Sequence, residues 1–230
     1  MEISEAVLEM NQSVVQRDWD GLEKHYVKVA ESADIMASDL ISRMYDLDFR
    51  SYEDAIQKGL TKAVEKAQSS EDNIKAIYFQ FSLFKMWRSQ FQLCEDYIPQ
   101  NKLNDAWAHD YASRVRGPSF PILSDLYQRT NLLEEHSIRL AVGLALVAKT
   151  VASIGRAFDR FSADDESSFP YAFCASFSGQ DPVFRIAEIT WGNPVGSSST
   201  FDCFGAVMFD YQQTFGGRIY EPELFVISLT

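Results

Sequence analysis

Phosphate cradles, metal-ligand pairs and a disulfide framework are all missing from this chain. Its three cysteines, Cys94, Cys174 and Cys203, lie far apart with no C-x-x-C spacing, which excludes a stapled secreted scaffold and a zinc site and leaves reduced thiols. The three histidines, His25, His109 and His136, fall in no H-E-x-x-H or E-x-x-H pattern, so neither a zinc peptidase nor a di-iron bundle is supported. On a helix, His109 and the adjacent Asp110 point about 100° apart and form no dyad. There is no G-x-S-x-G elbow, no G-x-x-x-x-G-K-[ST] loop and no G-x-G-x-x-G turn, which removes the common nucleophile and nucleotide motifs. Asp164, Asp165 and Glu166 run together without the alternation or glycine of a calcium loop. No catalytic residue, cofactor or metal is therefore expected.

Lysine stops at Lys149, and residues 161–230 carry nine acidic side chains against only Arg185 and Arg218. A thiolate needs an electropositive setting, so Cys174 and Cys203 make poor nucleophiles. The start, "MEISEAVLEM", has no basic region, apolar run or small-residue cleavage site, and the expected compartment is the cytoplasm. Long apolar runs are also scarce. In the most apolar stretch, Arg139 to Phe158, the uncharged runs are Leu140–Ala148 and Thr150–Gly155, whereas a membrane span needs about 20 apolar residues. With a net charge of −12, an anionic lipid surface and nucleic acid are both unfavourable partners.

What is present is an ordinary globular composition, 46% hydrophobic and 13% aromatic, enough to bury a core. Apolar residues recur at helical spacing through most of the first two-thirds. Ile3, Val7, Met10 and Val14 make a first stripe; a second starts at Leu22 and runs through Tyr26, Val29, Ala33, Met36, Leu40 and Leu47. "SYED", Ser51 to Asp54, resembles a capping box opening the next helix. A helix capped by Ser69 or Ser70 is expected to carry Ile74, Ile77, Tyr78, Phe81, Phe84, Trp87 and Phe91 as far as Pro99. Another is expected from Asn101 to Val115, its C-terminus holding Arg114 and Arg116, where cations suit the helix dipole. "RGPSFP" must stop it. A short helix from Pro121 to Arg129 precedes one opened by Asn131 and Glu134.

That last helix has a large face, Leu140, Leu144, Val147, Val151, Ile154 and Phe158, beside a small one, Ala141, Ala145, Ala148, Ala152 and Gly155. Small residues permit close helix approach, so it reads as the central strut of a bundle. Its cations Arg139, Lys149, Arg156 and Arg160 are expected to meet carboxylates of neighbouring helices or water.

From Tyr171 the pattern changes to period two. "YAFCASFS", a "GQDP" turn and "VFRIAEITW" read as a hairpin; Thr200–Phe215 and Arg218–Leu229, joined by Gly216-Gly217, follow as a second. Pro222 marks the last as an edge or bulged strand. The expected fold is α+β: an N-terminal bundle of about six helices, residues 1–162, followed by a four-stranded antiparallel meander, residues 163–230, packed on it as one unit.

With no catalytic constellation in view, the expected function is protein binding. The acidic carboxy-terminal segment and the loop Gly192–Thr200 would engage a basic protein by charge steering and occlusion, as an inhibitor or immunity protein neutralising a basic toxin such as a nuclease does. Asp202, Asp210, Glu221 and Glu223 are the expected partner-binding carboxylates, with Trp191 as the apolar anchor. The alternatives are an enzyme or small-ligand binder with a site between bundle and sheet, signalled by a pocket of aligned polar side chains, and a structural subunit of a larger assembly.

Overall fold

Three aspartates set the starts of three successive helices. The computed structural model describes residues 3–98, 110–164, 169–177 and 184–187. In it, helix α1 (Ile3–Val15) is followed by α2 (Trp19–Glu31), α3 (Ile35–Tyr45) and α4 (Phe49–Gln68). The carboxylates of Asp18, Asp34 and Asp48 accept from the backbone N–H of Gly21, Met36 and Ser51, satisfying donors that a helix N-terminus leaves without a partner. Asp34 thereby divides the stripe expected to run unbroken from Leu22 to Leu47. Val29 and Met36, counted in that stripe, are exposed. Asp48, not Ser51, caps α4; the Ser51 hydroxyl donates to it at 2.6 Å.

The aromatic stretch after α4 is not a helix. Strands β1 (Ala76–Phe81) and β2 (Ser89–Cys94) pair antiparallel, and β3 (Ser113–Arg116) pairs with β2. Arg114 and Arg116 therefore stand on a strand and not at a helix C-terminus. The residues that read as a helical stripe also alternate: Ile77, Phe79 and Phe81 join the main core, while Tyr78 belongs to a separate cluster on the opposite face. Between β1 and β2 the chain turns through Lys85, Met86 and Trp87, all at positive φ (52°, 64° and 50°). A left-handed turn without glycine or asparagine gives none of the usual hairpin signals. It is held by burial of Trp87, whose indole donates to the Thr150 hydroxyl at 3.2 Å.

Helices α5 (Pro121–Arg129) and α6 (His136–Asp164) follow, separated by a 3-10 turn at Thr130–Leu132 that displaces the start expected at Asn131. The chain then adds β4 (Ala172–Phe177) and β5 (Phe184–Ala187), antiparallel to one another. Among the described residues the architecture is α+β, with six α-helices and a five-stranded mixed sheet of order β3-β2-β1-β4-β5. It replaces the expected all-antiparallel meander: β4 lies parallel to β1, with Ile77 opposite Phe173, because the long crossover through α5 and α6 returns the chain to the same end of the sheet. The expected strands Thr200–Phe215 and Arg218–Leu229 lie outside the described residues. All the described elements belong to one unit spanning residues 1–191.

Helix α6 is the central strut. Ala145, Ala148, Ala152 and Ala157 are fully buried, and a Cβ on Gly155 would stand 2.6 Å from three atoms of the Trp19 ring, so only glycine allows α2 this close. Phe158 stacks on Phe173 at 5.1 Å, joining the helix to the sheet. Among the described residues α6 is the one helix long and apolar enough to cross a membrane, and 67% of that window is buried inside the protein. The sheet is buried on both faces: Ala76, Tyr78, Cys94, Tyr97, Ala172 and Cys174 form the second, smaller cluster.

Candidate functional site

Trp191, Asp202, Asp210, Glu221 and Glu223 all lie outside the described residues. The described residues instead contain a site that no sequence motif marked. A cavity of about 240 Å³ lies at the C-terminal ends of the parallel strands β1 and β4, where Leu83 and Phe177 meet α5 and the first half of α6. Leu140, Gly143, Leu144 and Val147 complete its apolar wall. These four positions, with His136 and Arg139, recur at helical spacing and occupy one side of α6.

The polar groups come from Tyr127, Thr130, Asn131, His136 and Arg139. Tyr127 is held edge-on by Phe84 (5.3 Å) and Trp87 (5.9 Å), so the left-handed turn between β1 and β2 positions one wall. Burial pushes its phenol above the ordinary value of 10, and it stays protonated at neutral pH. A Cβ on Gly143 would lie 3.3 Å from the Tyr127 ring. The Thr130 hydroxyl donates to the Tyr127 carbonyl at 2.7 Å, which fixes the corner between α5 and α6.

Arg139 is the unusual member. Its Nε, like that of Arg160, is shut off from solvent with no hydrogen-bond partner among the described residues, but Arg160 has carboxylates on its other nitrogens and Arg139 has none among those residues. The other α6 cations are spent on protein carboxylates. Lys149 pairs with Glu23, and Arg156 with Asp20 at 2.6 Å and Glu23 at 3.1 Å. Arg160 pairs with the buried Glu53 at 2.6 Å and with Asp54 at 3.2 Å. A second recess, about 340 Å³, is lined by Asp20, Glu23, Lys24, Tyr45, Lys149 and Arg156, and its Asp20, Glu23, Lys149 and Arg156 are paired with one another in this network.

Sequence reasoning placed Arg139 in one stripe with Lys149, Arg156 and Arg160. The signal that separates it was available. Ten residues at about 100° each leave Arg139 about 80° out of register with Lys149, whereas Arg156 and Arg160 fall within about 20° of it. The remaining polar residues of the cavity are dispersed over Tyr127 to His136 and carry no motif.

Burial, reinforced by Asp110, pushes the Cys94 thiol up to about 12, and Cys174 is buried and not disulfide-bonded. Among the described residues no group of three His, Cys, Asp or Glu side chains could hold a metal ion. His25 is exposed, edge-on to Tyr26 and 3.8 Å from Glu9; His109 lies outside the described residues. The chain matches no protein-family model, no curated protein and no solved structure.

Proposed function

We propose that this protein binds a small molecule with an apolar body in the cavity between α5, α6 and the ends of β1 and β4. The observation that carries the reading is the cavity's composition: an apolar wall from α6 and two strand ends, with Tyr127, Thr130, Asn131, His136 and Arg139 as its polar members. Ligand sites commonly have this make-up, and the C-terminal ends of parallel strands are a frequent place for them. At about 30 Å³ per water-sized group, the volume admits on the order of eight to ten non-hydrogen atoms.

The test is titration of the full-length protein with neutral and anionic probes of that size, followed by amide NMR. Shifts concentrated at Gly143, Leu144 and Phe177, and lost in Gly143→Leu, are expected. Shifts from no probe at these amides, or shifts unchanged by Gly143→Leu, would overturn the reading.

A second reading rests on charge. The segment 161–230 has nine acidic and two basic side chains, which favours charge-steered capture of a basic protein in the cytoplasm, in the manner of an immunity protein facing a basic toxin. Reversing Asp202, Asp210, Glu221 and Glu223 together, or replacing Trp191 by alanine, should abolish capture of such a partner in a pull-down. Unchanged capture by both variants would remove this reading.

A further inference from the structure

We infer that the ligand of the cavity is a small monocarboxylate, its carboxylate held by Arg139 and its apolar part lodged against Gly143, Leu144 and Phe177. The inference rests on the small-molecule reading above and adds the chemical class.

The charges around the cavity can be counted. Arg139 is permanently ionised, and its Nε lies out of reach of water with no hydrogen-bond partner among the described residues. A cation lining a largely apolar cavity is less well hydrated than one in open water, unless something else supplies an acceptor. Among the described residues no carboxylate lies within ion-pair distance of Arg139, although Lys149, Arg156 and Arg160 on the same helix all have one. The planar guanidinium of Arg139, which lines the cavity, matches two carboxylate oxygens in a bidentate pair through its terminal nitrogens.

The same count argues against a phosphate. A phosphate monoester would bring about two negative charges to a site with one permanent cation, and the surplus would be poorly solvated beside Leu144, Val147 and Phe177. The linker between α5 and α6 offers no glycine-rich loop to cradle it. A neutral ligand would leave the guanidinium without its countercharge. One positive charge on an apolar wall thus selects one negative charge on an apolar body.

The experiment compares isosteres on the intact protein: phenylacetate with phenylacetamide, and octanoate with octanamide, by calorimetry and amide NMR. A charge-assisted pair contributes about 10- to 100-fold in affinity, so each acid should bind more tightly than its amide by about that factor. In Arg139→Met the preference should vanish while the amides keep their affinity; Arg139→Lys should restore part of it, and circular dichroism checks that both variants fold. Phenyl phosphate should bind more weakly than phenylacetate. Equal binding of acid and amide to the native protein, a preference that survives Arg139→Met, or tighter binding of phenyl phosphate would overturn the carboxylate assignment and leave the cavity reading standing. Absence of any cavity-localised shift, from acids and amides alike, would overturn both.

Discussion

The two halves of α6 carry the same kind of side chain in opposite circumstances. Toward its C-terminus, Lys149, Arg156 and Arg160 face α2 and α4, which supply Asp20, Glu23, Glu53 and Asp54. Toward its N-terminus, Arg139 faces α5 and two strand ends, which supply rings, methyl groups and hydroxyls. The neighbours differ, so the same chemistry does different work: the C-terminal half is cross-linked to the bundle by charge, and the N-terminal half sets a cation beside a cavity. Lys149 is enclosed further by the Phe49 ring, 4.9 Å away.

The largest expected effect comes from overfilling the cross-linked half. Gly155→Val drives a Cβ into the Trp19 ring, 2.6 Å away, and should cost about 3 kcal/mol in urea unfolding, at the upper end of overpacking penalties. A loss below about 1 kcal/mol would mean that α2 yields easily and that the close approach is not a constraint.

Next in size is Glu53→Gln, which takes from Arg160 the buried one of its two carboxylate partners and leaves Asp54. Breaking a fully buried pair costs about 3–5 kcal/mol; since Arg160 keeps 25% of its side-chain exposure, about 2 kcal/mol is expected from the shift in urea midpoint. Arg156→Met should cost about 1 kcal/mol, because its partner Asp20 is 92% exposed while Glu23 is only 12% exposed.

The sharpest form of the comparison is Arg139→Met, which should change stability by less than about 0.5 kcal/mol in either direction, because no ion pair is lost and an unsatisfied donor is removed. A cost like that of Glu53→Gln would show that Arg139 is as much a structural cation as the others.

The smallest effect is on acid stability. A hydrogen bond from Arg156, and its charge, hold the Asp20 carboxyl below its ordinary value of 3.8. A carboxyl whose folded value is depressed contributes stability that is fully present above its unfolded value and is lost as the pH falls through the folded one. Asp20→Asn should therefore slightly flatten the decline in stability below about pH 3.8, and Arg139→Met should leave that decline unchanged. Unfolding curves at pH 2.5, 4 and 7 would show both.

Much of the helical layer was legible. The apolar stripe of α1, the short helix at Pro121, and the large and small faces of α6 all depend on residues within a few turns of one another. The β4–β5 hairpin was equally plain, because Phe173, Ala175 and Phe177 alternate with Cys174 and Ser176. The stretch from Ile74 to Phe91 misled for a specific reason. Ile77 and Phe81 fit both a period of 3.6 and a period of two, and the turn that would have decided between them is built from Lys85, Met86 and Trp87. The site was harder still: Arg139 was visible as a cation, but nothing local distinguished it from Lys149 except an angle around the helix.

By itself the sequence determined which faces are apolar and that α6 would be the strut, because those properties follow from short-range periodicity; the caps at Asp18, Asp34 and Asp48 are local too, but serines and asparagines nearby offered competing starts. The tertiary structure alone decided that β1 would lie parallel to β4, which cations would find carboxylates, and that space would remain beside Arg139. Those outcomes depend on which distant segments are brought face to face, and a cavity in particular is defined by atoms that several elements fail to supply.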